Sequence, residues 1–195
     1  MILGVGWTDL ITALATILAL IVSTIAIYQT KFQTKISNKQ FLFDKRIRAF
    51  YLLQELQGGF EVYRIKNSKK ENNDSKETIR SKIDLLVDNS FFDDLGSNKN
   101  EQLKKKTKEL MILSLEIKFY FPEGVVETAS DFMGNYAMYL STLIRRYERI
   151  DNIGSKQRND KILVDAALKN IEKDWNNLEE DDTLSKLEKA IKFKN

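Results

Sequence analysis

Any chemistry in this chain has to be done without two of the most versatile side chains, because it contains no histidine and no cysteine. That removes thiolate nucleophiles, disulfides, the usual zinc sites and imidazole acid–base relays. The densest remaining set of cations is Arg145, Arg146, Arg149, Lys156 and Arg158, with Tyr139 and Tyr147 close by in sequence. Arginine forks match phosphate oxygens and tyrosine faces stack on bases, so this set could hold a nucleotide or a short oligonucleotide. The plainer reading, which the sequence favours, is a solvated helix end whose cations complement the helix dipole.

Other charged runs are less specific. Residues 31–70 carry ten basic and three acidic side chains, a balance that suits contact with anionic lipid headgroups. Lys104, Lys105, Lys106 and Lys108 read as an exposed face early in a helix. The carboxylates of residues 179–182 are consecutive and lack the three- or four-residue spacing of a helical metal site, so they read as a solvated turn. Gly58 and Gly59 alone make no phosphate cradle, and neither a Walker nor a dinucleotide motif is present. The sequence predicts no catalytic residue, no metal, no cofactor and no enzyme activity.

The elements that must position these residues are helical. One proline and eight glycines in 195 residues suit long helices rather than turn-rich sheets. Residues 10–30 contain no charged side chain. At about 1.5 Å per residue, roughly 20 such residues cross a bilayer core of about 30 Å. Trp7 and Tyr28 sit at opposite ends, where amphipathic rings favour the interface, and Thr8 or Asp9 can cap the first turn. A cleaved signal peptide wants basic residues ahead of its apolar run. Here residues 1–9 have none, while Lys31, Lys35, Lys39, Lys45, Arg46 and Arg48 follow. The positive-inside bias predicts an inner-membrane protein, with residues 1–9 outside and the carboxyl-terminal bulk in the cytoplasm.

Within the apolar run, Thr12, Thr16, Ala19, Ser23, Ala26 and Thr30 are spaced four, three, four, three and four. That rhythm keeps them on one side of a supercoiled helix, and small residues on such a stripe mark helix contacts in lipid. Self-association into a homo-oligomer is expected through this stripe. Its hydroxyls could equally face a narrow aqueous pore between copies of the chain, or simply bond back to their own helix carbonyls.

Past the membrane the helical period continues through Phe43, Ile47, Phe50, Leu53, Leu56 and Phe60 until Gly58 and Gly59, which should bend or end the helix. A juxtamembrane amphipathic helix over 31–66 is followed by a polar loop over 67–75. A cytoplasmic helical bundle then fills 76–195, with helices expected at 76–87, 101–121, 123–150, 157–178 and from 183 onward. Leu103, Leu110, Ser114, Ile117 and Phe121 should face the core from one helix, with Val126, Met133, Ala137, Leu140 and Ile144 from the next. The fold class is thus all-α: one amino-terminal transmembrane helix continuing into the bundle.

Residues 40–51, which read QFLFDKRIRAFY and hold an F-D-x-R motif at Phe43 to Arg46, resemble the juxtamembrane helix of a group of small single-span bacterial membrane proteins. The likeness covers roughly residues 10–57. Some proteins of this look, the membrane effectors of the Hailong anti-phage defence system among them, form oligomeric pores. The resemblance implies opening by a nucleotide signal or short DNA oligomer made by a cytosolic signalling partner. It licenses no ligand residue, because no binding motif matches. A non-conducting anchor or adaptor that recruits a cytosolic partner is the alternative.

Overall fold

A computed structural model describes residues 6–67, 75–93, 99–152 and 157–192. Every regular element among them is helical: α1 (Trp7–Asn67), α2 (Lys76–Leu86), a 3-10 turn (Ser90–Phe92), α3 (Lys99–Tyr120), α4 (Glu127–Asn152), α5 (Gln157–Glu180) and α6 (Thr183–Lys192). The chain divides into two compact units, residues 1–44 and 45–195.

In the first unit, α1 is long and apolar enough to cross a membrane, and none of its apolar stretch is buried within the chain. The helix begins on Gly6, whose carbonyl accepts from the amides of Asp9 and Leu10, rather than on a Thr8 or Asp9 cap. Asp9 lies in the first turn instead, where a carboxylate still favours the amino-terminal end of the dipole.

The second unit builds its core from the face that the period predicted. Leu103, Leu110, Ser114 and Ile117 of α3 are buried, and so are Phe121, Val126, Met133, Ala137, Leu140 and Ile144. α4 is the central element, packed against α2, α3 and α5. Small residues set how closely α3 approaches it. A Cβ on Gly134 would stand 3.4 Å from Ser114 Oγ, and Ser130 donates to the Ser114 carbonyl at 2.7 Å.

Two expectations need correcting. Gly58 and Gly59 do not end α1, which runs on to Asn67. Glycine costs a helix interior only about 1 kcal/mol. Leu53, Leu56, Phe60 and Tyr63 are buried around that pair, and each large apolar side chain so placed stabilises the helix by about 1.5–3 kcal/mol. Phe60 also meets Phe132 and Tyr136 edge-on, at centroid distances of 6.2 and 6.5 Å. In the other correction, α4 starts at Glu127 rather than 123, because Gly124 adopts a left-handed φ of 85° in the turn after Pro122.

Polar groups secure the ends of these helices. Ser75 caps α2, its hydroxyl accepting from the Thr78 amide at 3.2 Å. Arg46 is buried, donates from Nε to the Tyr120 carbonyl and lies 5.9 Å over the Phe121 ring. A cation thereby satisfies one of the orphan carbonyls at the negative end of α3.

Candidate functional site

α3, α4 and α5 leave a groove of about 750 Å³ between them. Because α4 presents its arginines near its carboxyl end and α3 its lysines near its amino end, Lys104 and Lys108 come to line the groove together with Arg145 and Arg146. Glu148 and Asp160 line it too, as do Met111, Met138 and Leu163. These three apolar side chains remain about half exposed, at 48%, 47% and 54%. Cations and apolar surface side by side suit a ligand that carries both characters.

Ion pairs join the three helices at the charged part of the groove. Lys104 Nζ lies 2.6 Å from Glu148 Oε1, linking α3 to α4. Arg149 donates from Nη1 to Asp160 Oδ1, linking α4 to α5. In the first pair both side chains are partly exposed, and in the second Asp160 is the more enclosed, at 16% against 54% for Arg149. Such surface pairs hold geometry at a stabilisation of about 0–1 kcal/mol each.

Of the five cations that the sequence singled out, two line the groove: Arg145, which is exposed, and Arg146, which is buried. Arg149 reaches the same region through Asp160. Lys156 and the side chain of Arg158 lie outside the described residues. Of the α3 lysines, Lys104 and Lys108 are exposed, as the sequence reads them, and also line the groove. Lys104, Lys108 and Met111 recur at four and three residues along α3, while Met138, Thr142 and Arg145 recur at four and three along α4. Matching stripes of cation and methionine on two neighbouring helices are the signal that could have found the groove.

The two tyrosines do not serve as stacking platforms there. Tyr139 is fully buried, and its hydroxyl is hydrogen-bonded to that of Tyr63, with burial the main cause that pushes its pKa up. Burial likewise raises Tyr63 to about 12. Tyr136 donates to the Leu86 carbonyl, and its burial also favours the neutral phenol. Tyr147 turns toward α2, where its hydroxyl accepts from Arg80 at 3.2 Å and Lys76 Nζ stands 4.9 Å over its ring. Both rings follow from phase: α4 buries so wide a face that neighbours in sequence point into different surroundings.

The stripe in α1 is exposed along its length, and its threonines take the local option. Thr12, Thr16 and Thr30 each donate to the carbonyl four residues earlier, at 2.8 Å. The off-stripe Thr24 does the same. These donors are committed to the helix, so what the stripe's threonines leave exposed is small size rather than a free hydroxyl proton.

The carboxylates of residues 179–182 end α5 and form the turn into α6. Among the described residues, no group of three or more histidine, cysteine, aspartate or glutamate residues could hold a metal ion. No protein-family model, curated protein or solved structure matches the chain.

Proposed function

We propose that this chain is a homo-oligomeric single-span membrane effector, a gated pore or ion channel whose helical domain responds to an anionic signal. Copies associate through Thr12, Thr16, Ala19, Ser23, Ala26 and Thr30. The domain lies in the cytoplasm, as the basic flank at Lys31, Lys35 and Lys39 favours. The observation that carries the reading is the pairing of two features in one chain. An uncharged helix of membrane-crossing length is joined to a domain whose groove gathers Lys104, Lys108, Arg145 and Arg146 from two helices. Arginine and lysine clustered this way suit phosphate, so a nucleotide or short DNA oligomer is the proposed signal. The likeness of residues 40–51 to a group of small single-span bacterial membrane proteins, some of them defence effectors, supports a role in collapsing membrane potential during anti-phage defence. Gating requires the ligand to bind the open arrangement better than the closed one.

The test is ion flux in liposomes holding the full chain, with and without the anion. Flux that needs the anion is expected, and Thr16→Leu combined with Ser23→Leu should abolish it while the protein stays in the membrane. Unchanged flux in that double variant would sink the stripe as the pore lining, and no flux from the unaltered chain with the anion present would sink the pore.

One observation favours a second reading, a non-conducting anchor or adaptor. Met111, Ile112, Leu115 and Phe119 form an exposed apolar row on α3, with Phe119 at 81% exposure. Rows of this kind mark protein contacts. This reading expects no current, and full function when an unrelated apolar helix replaces residues 10–30.

A further inference from the structure

The groove between α3, α4 and α5 is charged over only part of its length. The Lys104–Glu148 contact marks the polar end. Along α3, Met111 lies seven residues beyond Lys104, and along α4, Met138 lies seven residues before Arg145. Seven residues make about two turns, or roughly 10 Å. The cations and the two methionines therefore occupy successive stretches of one trough. A bare inorganic anion would engage the cations and leave the methionine stretch in water. A neutral apolar molecule would cover the methionines and leave the guanidinium group of Arg145 unmatched.

Resting on the reading of this groove as the ligand site, we infer that it takes an amphiphilic anion: a phosphate-like group joined to a compact apolar body. The volume of about 750 Å³ is that of a site for one small molecule. The same end already holds internal competitors. Glu148 occupies Lys104, and Asp160 occupies Arg149. An incoming anion displaces a carboxylate from its cation, and in doing so exchanges a link between helices for a link to itself. Binding and the coupling of α3 to α4 to α5 are then one event, which gives the ligand a differential affinity for two arrangements of the bundle.

The methionines provide the readout. The chain has four, and Met133 is buried in the core while Met111 and Met138 line the groove. Full-length protein in lipid nanodiscs, isotope-labelled at its methionine methyls, would be titrated with naphthyl phosphate, inorganic phosphate and neutral naphthol. Naphthyl phosphate should shift the signals of Met111 and Met138 and leave Met133 in place. Either half-ligand should bind roughly tenfold more weakly, the loss expected for one charge-assisted contact or its apolar equivalent. Arg145→Met should weaken naphthyl phosphate roughly tenfold. Glu148→Gln should strengthen it roughly threefold, since a surface competitor is removed. Unmoved Met111 and Met138 signals would overturn the inference, as would equal affinity for naphthol or for inorganic phosphate. Ion flux is scored separately. Groove binding without flux leaves this site standing and removes the pore, whereas anion-dependent flux with a silent groove does the reverse.

Discussion

The two units of this chain obey opposite rules with the same secondary structure. Between residues 10 and 30, leucine and isoleucine stand exposed, from 49% at Leu10 to 64% at Leu20, and no charge interrupts them. From residue 45 onward, many residues of the same types are driven inside, with Leu53, Leu56, Leu110 and Ile117 at 0%. A helix in water hides a stripe of its surface, whereas a helix that turns apolar side chains outward all round needs a hydrocarbon surrounding. Charge is the discriminator. The second unit interleaves lysines and glutamates with its apolar period, and residues 10–30 do not.

The contrast can be broken from either side. The largest effect belongs to the core. Phe60→Ala removes a ring at 0% exposure that meets Phe132 and Tyr136, and should cost about 3–5 kcal/mol. Thermal unfolding should fall steeply while the protein still resists alkaline carbonate extraction. Leu18→Arg is the converse. It should leave the melting of the bundle in place and weaken insertion by about 2.5–3.5 kcal/mol, read as protein appearing in the carbonate-soluble fraction. Equal damage to both readouts by either variant would show that the contrast is wrongly drawn.

A smaller effect comes from the buried phenols. The Tyr63 pKa lies at about 12 against an ordinary 10, so the folded chain keeps a proton that the unfolded chain releases. The stability that this proton carries is complete below about pH 10 and lost as pH rises through about 12. An absorbance titration should show the tyrosinate of Tyr63 forming late, together with loss of helical signal. Early ionisation of all the phenols at unchanged helicity would contradict the buried Tyr63–Tyr139 pair. The smallest effect is a gain. Asp182 holds a left-handed φ of 47° in the turn between α5 and α6, where glycine is at ease. Asp182→Gly should stabilise the bundle by about 0.5–1 kcal/mol, a rise of about 1–4 °C in Tm.

Much of the fold was legible because hydrophobic period and helix length are local. α5 begins where the sequence placed it, and α3 ends one residue from the expected boundary because Pro122 removes an amide there. The continuity of α1 through Gly58 and Gly59 was not legible, since it depends on Phe132 and Tyr136 from another helix arriving beside Phe60. The groove was half legible. Arg145 and Arg146 announced themselves by charge density, but the register that sets Lys104 and Lys108 against them is decided by Ser114, Ser130 and Gly134 at the crossing. Tyr139 misled because nearness in sequence was allowed to stand for nearness in space. Its hydroxyl is occupied by Tyr63, a residue 76 positions away.

Arg46 gives the second unit a mechanical property. Its guanidinium grips the carboxyl end of α3 through the Tyr120 carbonyl and the Phe121 ring, and it is the earliest buried residue of α1. A pull or twist on α1 ahead of this point is therefore shared with a second helix before it reaches Leu53. The rivet sits where the load enters, so strain would be spread across two struts instead of being concentrated in one.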